Sequence, residues 1–185
     1  HGTIVGDIGT ILRTTDAGTT WTYQSSGTTK ALYGLAFIDA FNGMVVGDSG
    51  TILRTTDAGA TWTSQTSGTT KSLWSVKFID ANTWIAVGDS GTILRTTNAG
   101  TNWNSQSSGT TYDLKCLSFI NTNTGIAIGH VGTILETTDA GITWSSQTSG
   151  TTKDLMGVYF TDVNNGTVVG NLGVILRTTN GGTIW

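Results

Sequence analysis

The sequence predicts an all-β fold, a β-propeller of four-stranded antiparallel blades, on three observations. First, Trp21 and Trp62 are 41 residues apart, and the same interval leads on to Trp103, Trp144 and Trp185. A constant period of this size indicates stacked supersecondary units. Second, the chain has 26 Gly, no Pro and only 11% charged residues, which favours short strands and tight turns. Third, each repeat contains four short β-type runs, the content of one propeller blade.

The repeat divides a single predicted domain, residues 1–185, into blades. We expect a partial blade at residues 1–24 and blades at about 31–65, 72–106, 113–147 and 154–185. This gives about 4.5 repeats, which fits either a five-bladed ring or part of a larger ring. A parallel solenoid is the alternative, but solenoid coils usually have shorter repeats or contain helices.

The first strand of a blade is expected at Leu32–Ile38, and it should be the innermost. Its equivalents are Leu73–Ile79, Leu114–Ile120 and Leu155–Thr161. Strict alternation would place Leu35 and Phe37 on one face, and Leu32 with the small Gly34 on the other. Both faces are apolar or small, as expected of a strand between two neighbouring sheets.

The other three strands follow in a fixed order. The second is expected at Met44–Gly47 and ends in a tight hairpin at Asp48-Ser49-Gly50. The third is expected at Thr51–Thr56, and the fourth from Thr61 to about Gln65. Polar connectors such as residues 67–71 then lead to the next blade.

The turn between the third and fourth strands carries the motif Ser/Thr-x-Asp-x-Gly-x-Thr-Trp, which resembles the Asp box, or bacterial neuraminidase repeat. Its residues are Asp16, Gly18, Trp21, Asp57, Gly59, Trp62, Asn98, Gly100, Trp103, Asp139, Gly141, Trp144, Asn180, Gly182 and Trp185. We interpret them as structural: the acceptor binds N–H groups of its turn, Gly supplies a positive φ, and Trp covers a neighbour. Asn in two copies serves as an acceptor but would not serve as a catalytic carboxylate.

The longer run from Val46 to Thr56 is similar to the photosystem II assembly factor family, the Ycf48/Hcf136-like propellers. The resemblance covers essentially the whole chain. It implies a propeller fold and a function in assembly or at the cell surface that is exerted through protein binding.

Catalysis is not expected. A sialidase, the enzyme that the Asp box suggests, needs converging arginines and a Tyr–Glu pair, but Glu136 is the only Glu. Arg13, Arg54, Arg95 and Arg177 recur at one position of the repeat, as framework residues do. His130 stands at a turn position and is interpreted as a tolerated substitution. Asp7, Asp48 and Asp89 offer too few oxygens for calcium, so we expect no metal and no cofactor.

Composition limits the partners. A net charge of −3 does not predict nucleic-acid binding, and no apolar run reaches the roughly 20 residues of a membrane span. The single Cys116 cannot form an intrachain disulfide. The charge-poor surface, rich in Thr, Ser and Gly, favours an extracellular or periplasmic location.

A binding surface is expected where equivalent positions differ between blades. One such set is Tyr33, Trp74, Lys115 and Met156, at one mouth of the channel, and another is Asp48, Asp89, His130 and Asn171. The recurring arginines are a further candidate surface. The leading hypothesis is a non-catalytic scaffold that binds a partner protein there, with glycan binding as the alternative. Packing variation at partly buried positions would also explain the first set. A homo-oligomer could complete the ring.

Overall fold

The computed structural model describes all 185 residues, and they fold into five antiparallel sheets of three or four strands. We call the sheets blades 1 to 5 in chain order. Blade 1 contains β1 (Gly2–Val5), β2 (Ile11–Thr14) and β3 (Thr22–Gln24). Blade 2 contains β4 (Leu32–Phe37), β5 (Gly43–Gly47), β6 (Ile52–Thr55) and β7 (Thr63–Gln65). Blade 3 contains β8 (Leu73–Phe78), β9 (Trp84–Gly88), β10 (Ile93–Thr96) and β11 (Asn104–Gln106). Blade 4 contains β12 (Leu114–Phe119), β13 (Gly125–Gly129), β14 (Ile134–Thr137) and β15 (Ser145–Gln147). Blade 5 contains β16 (Leu155–Phe160), β17 (Gly166–Gly170) and β18 (Ile175–Thr178).

Strands follow one another across each sheet in chain order, and the sheets pack face to face. The first strands of blades 2 to 5 contact one another in turn, β4 with β8, β8 with β12, and β12 with β16. They therefore lie nearest the common axis, as the sequence predicts. The all-β class and the antiparallel blades are confirmed.

The expected alternation along the inner strand is wrong at its start. Leu32 packs in the same cluster as Leu35 and Phe37, and not on the opposite face. The register shifts between Leu32 and Gly34, and the same shift occurs in the inner strands of blades 3, 4 and 5. A β-bulge of this kind adds one residue to the strand, so side chains beyond it change face.

The hydrophobic core consists of four clusters, one at each junction between consecutive blades. We call the face of a blade that packs on the next blade in the chain its back face, and the opposite face its front face. The back face of each blade therefore packs on the front face of the blade that follows it. Between blades 2 and 3, for example, Met44, Val46 and Ile52 on the back face meet Val76 and Trp103 on the front face. Neighbouring residues of a strand point to opposite faces, so each blade contributes to two clusters.

The Asp-box turn closes each of these junctions. In blade 2, Thr55 donates its hydroxyl to Asp57 and accepts the N–H of Gly59. Asp57 in turn accepts the N–H and the hydroxyl of Thr61. Trp62 then packs in the cluster between blades 1 and 2, edge to face with Phe37.

Glycine is required in this turn for close approach. Gly141 has φ of 79°, and a Cβ there would lie 2.7 Å from Cδ1 of Ile85 in blade 3. The corresponding glycines of blades 3 and 5 lie against Met44 and Ile126. The box of one blade therefore packs against the second strand of the blade before it.

Candidate functional site

The mouth of the channel is the end of the blades where the inner strands begin. The register pairs Leu32 with Gly47 at this end, and pairs Phe37 with Gly43 and Gly43 with Thr55 at the other. The Asp boxes follow Thr55 and its equivalents, so they lie at the end opposite the mouth. Tyr33, Trp74, Lys115 and Met156 hold the second position of the inner strands of blades 2 to 5.

Three of these four side chains form a continuous stack across blades 2 to 4. The rings of Tyr33 and Trp74 have centroids 4.3 Å apart and are inclined by 23°. The Lys115 ammonium nitrogen lies 3.8 Å from the Trp74 ring centroid, a cation–π geometry. Two groups so close to one ring centre cannot share a face, so Tyr33 and Lys115 occupy the two faces of the indole.

Carboxylates from the neighbouring turns hold this stack in place. The indole N–H of Trp74 donates to Asp89. The Lys115 nitrogen lies 3.1 Å from an Asp113 oxygen and 3.9 Å from an Asp89 oxygen. His130 Nδ1 lies 3.5 Å from Asp113. The cluster is thus tied to turns of blades 3 and 4 as well as to the inner strands.

The same turns are tied from one blade to the next. Asp113 accepts the N–H of Ser90, and Asp154 accepts the N–H of Val131, each from the turn of the preceding blade. Ser72 donates its hydroxyl to Asp48 in the equivalent place. Desolvation opposes ionisation of Asp113, but hydrogen bonds from Ser90 and Lys115 hold its pKa below the ordinary value.

The electrostatic field around Tyr33 is negative. Partial burial raises the pKa of Tyr33, and the carboxylates of Asp48, Asp7 and Asp89 raise it further. Lys115 and His130 pair with Asp89 and Asp113, whereas Asp7 and Asp48 have no cationic partner. Tyr33 is 38% exposed, and Met156, beyond the stack, is also exposed.

The recurring arginines do not join the mouth. Arg13 donates Nε–H to the Ala58 carbonyl at 2.7 Å, and Arg95 donates to the Ala140 carbonyl at 2.9 Å. Each bond joins a third strand to the Asp-box turn of the following blade. The structure thus brings these two arginines to inter-blade contacts and not to a common ligand surface. Glu136, which replaces the arginine in blade 4, accepts instead from Gln147.

Sequence reasoning missed one pairing within the Asp box. Thr20, Thr61 and Thr143 donate a hydroxyl to the second oxygen of Asp16, Asp57 and Asp139. In the two boxes with Asn, the corresponding residues are Asn102 and Ile184, and only their backbone N–H donates to the Asn oxygen. The signal is visible in the sequence, because a carboxylate occurs only where Thr follows four residues later.

No group of three or more His, Cys, Asp or Glu side chains in the structure could hold a metal ion. The structure has no helix with the length and apolar character that crossing a bilayer requires.

A family model described as photosynthesis system II assembly factor YCF48 matches residues 22–110 and 106–185. The chain belongs to this family. The resemblance that the Val46–Thr56 run carries is therefore confirmed. The family description also shows that the expected extracellular or periplasmic location is wrong, because photosystem II is a photosynthetic complex that is assembled inside the cell.

Solved structures with the same fold include members of this family. A structure described as YCF48 bound to D1 peptide is 16% identical, with a TM-score of 0.51, covering 97% of this chain and 90% of that one. YCF48 from Cyanidioschyzon merolae is 17% identical, with a TM-score of 0.76, covering 96% of this chain. This chain spans only 65% of the Cyanidioschyzon protein.

Enzymes of glycoside hydrolase family 74 share the fold as well. The Niastella koreensis GH74 enzyme is 18% identical, with a TM-score of 0.75, covering 91% of this chain but only 31% of the enzyme. At this identity the likeness concerns the fold and carries no argument for hydrolysis. No curated protein matches the chain.

Proposed function

We propose that this chain is a non-catalytic scaffold that binds a segment of a partner protein at the mouth. The observation that carries the proposal is the stack of Tyr33, Trp74 and Lys115, with its carboxylates, at positions that differ between blades while the framework repeats. A rigid, partly exposed aromatic group in a polar rim is the usual anchor of a protein interface. Hydrogen bonds and packing on both faces of Trp74 hold the stack rigid before a ligand binds.

The charge around Tyr33 points to a segment that carries Lys or Arg. Asp7 and Asp48 flank Tyr33 without a cation of their own. Within the fold, Lys115 already lies over Trp74 beside Asp89 and Asp113. A partner cation over the outer face of Tyr33, near Asp7 and Asp48, would repeat this arrangement one blade earlier.

Family membership supports a role in assembly. The family model is named for a photosystem II assembly factor, and one solved relative is described with a bound D1 peptide. A role as assembly factor acting through a peptide segment of its client fits both descriptions and the mouth of this chain.

The test is titration of fluorescently labelled peptides followed by polarisation. The probes are a D1-derived peptide and a Lys/Arg-containing peptide of the same length, each with a version in which Gln replaces Lys and Arg. We expect Tyr33→Ala to weaken binding by at least tenfold, and Asp48→Asn to weaken binding of the basic versions selectively. Tyr23→Ala removes an exposed aromatic ring on β3, the outer edge strand of blade 1, and it should leave affinity unchanged.

Equal affinity of wild type and Tyr33→Ala for every peptide would contradict the proposal, as would a preference for the Gln versions. The glycan alternative needs an aromatic face for a sugar ring, and because both faces of Trp74 are covered, Tyr33 is the one ring of the stack that can offer it. A glycan array distinguishes the two, because sugar binding lost in Tyr33→Ala would favour the lectin role.

A further inference from the structure

A groove crosses the rim of blade 4 beside the mouth. It has a volume of about 720 Å³ and lies between the connector that enters the blade, the turn at residues 131–133 and the connector that leaves the blade at residues 148–152. Blade 4 has a neighbouring blade on each side, since β12 contacts both β8 and β16. None of the residues that line the groove is charged.

Two positions distinguish this groove from the equivalent places on other blades. Tyr112 is 49% exposed and Val131 is 44% exposed, and both line the groove. The equivalents of Tyr112 are Lys30, Lys71 and Lys153, and those of Val131 in blades 2 and 3 are Ser49 and Ser90. Blade 5 has the apolar Leu172 at its turn but Lys153 in the connector that enters it. Among blades 2 to 5, an aromatic ring and an apolar turn residue therefore occur together only in blade 4.

The backbone at Val131 supports a binding role for this turn. Its φ is 55°, in the left-handed region that β-branched residues disfavour. Ser49 and Ser90 adopt the same conformation, with φ of 54°, without a branched side chain. Packing inside the chain does not offset the strain at Val131, because its side chain is exposed. Strain of this kind is typical of sites that contact a ligand.

The groove is continuous with the charged cluster of the mouth. Tyr112 directly precedes Asp113, and Val131 directly follows His130. Nδ1 of His130 lies 3.5 Å from an oxygen of Asp113. An extended segment that crosses the stack from blade 2 to blade 4 therefore reaches this groove next.

The polar lining of the groove suits a peptide backbone. Ser146, Thr148 and Thr152 line it and are exposed. Each of their hydroxyls can donate one hydrogen bond and accept others. An extended peptide presents N–H donors and C=O acceptors in alternation, so these hydroxyls can satisfy both.

We infer that the segment bound at the mouth continues over the rim of blade 4 and places an uncharged apolar side chain, such as that of Leu, against Tyr112 and Val131. The inference rests on the proposed function and adds a second requirement to the sequence of the partner, besides the cation near Tyr33. A charged side chain is disfavoured in the groove, because it would lose water there without gaining an opposite charge.

Polarisation measurements with designed peptides test this second anchor. Each peptide carries one Lys and, at increasing distances from it, one Leu in an otherwise Gly/Ser sequence, and the control peptides have Ser in place of Leu. At the distance that reaches the groove, Leu should raise affinity for the wild type by about fivefold, because its apolar area is buried there. Tyr112→Ala and Val131→Ser should each remove most of this gain.

Val131→Ser installs the residue of blades 2 and 3. Its urea midpoint should therefore not fall, which separates a binding role of Val131 from a structural one. Leu172→Ser is the matched control, because it makes a similar change at the equivalent turn of blade 5, and it should keep the gain from Leu.

The inference is overturned if Leu gives no gain at any distance, or if the gain is the same in the wild type and in both groove variants. Tyr33→Ala, measured with the Ser peptides, reports on the mouth alone. Affinity lost in Tyr33→Ala without any gain from Leu would refute the second anchor and leave the proposed function intact. Unchanged affinity in Tyr33→Ala would refute both.

Discussion

The Asp-box tryptophans offer a controlled test of what stabilises the blades. Trp103 is only 9% exposed and packs in the cluster between blades 2 and 3 with Met44 and Trp84. Its replacement by Ala removes a large ring from a packed junction, and such changes cost about 3–5 kcal/mol in free energy of unfolding. A domain is stable by about 5–15 kcal/mol, so Trp103→Ala should remove a large share of the total.

Trp21 holds the same place in the motif but is 38% exposed, because no blade covers the front face of blade 1. It buries less of its ring and belongs to none of the four core clusters. We therefore expect Trp21→Ala to cost about 1–2 kcal/mol, since burial energy scales with the apolar area removed from water. The two substitutions are chemically identical, so their difference measures the junction alone.

Urea denaturation followed by far-ultraviolet circular dichroism measures both variants at a concentration where the chain is monomeric. We expect the midpoint to fall in the order wild type, Trp21→Ala, Trp103→Ala, with unchanged slopes. Equal losses for the two variants would refute the reasoning, because the tryptophan would then act within its own turn and not across the junction.

Three further predictions concern single contacts. The Thr61 hydroxyl and N–H hold the pKa of Asp57 at about 2, below its ordinary 3.8. This stabilisation of the folded state is complete above about pH 4 and is lost as the pH falls towards 2. In Asp57→Asn, the melting temperature should therefore fall less steeply between about pH 4 and pH 2 than in the wild type. Glu136→Arg should raise stability by about 1 kcal/mol in urea denaturation, because the arginine can donate to the Asp-box turn of blade 5 as Arg13 and Arg95 do to those of blades 2 and 4. Gly141→Ala should cost more than Gly150→Ala in the same assay: both have positive φ, but only at Gly141 would a Cβ meet an atom of another blade, at 2.7 Å.

Each of these has an outcome that contradicts it. If the melting temperature of Asp57→Asn falls with pH below about pH 4 as steeply as that of the wild type, other groups control acid unfolding. A loss of stability in Glu136→Arg would show that the bond to Gln147 outweighs an inter-blade bond. Equal costs at the two glycines would mean that backbone strain alone decides both.

The sequence by itself determined the blades and their turns. The interval between tryptophans fixed where each unit recurs, and β-type runs separated by Gly, Asn and Asp fixed its strands. The Asp box also follows from the sequence, because its hydrogen bonds join Thr55, Asp57, Gly59 and Thr61, which lie within a few residues of each other. The run from Val46 to Thr56 also predicted the family, and the family model confirms it.

Only the tertiary structure decided how the blades meet. The bulge after Leu32 changed which face that side chain occupies, and no alternation pattern contains it. The two occupied faces of Trp74 and the bond from Arg95 to Ala140 depend on side chains from neighbouring blades. Such contacts are set by the distance and rotation between sheets, which a one-dimensional period does not specify.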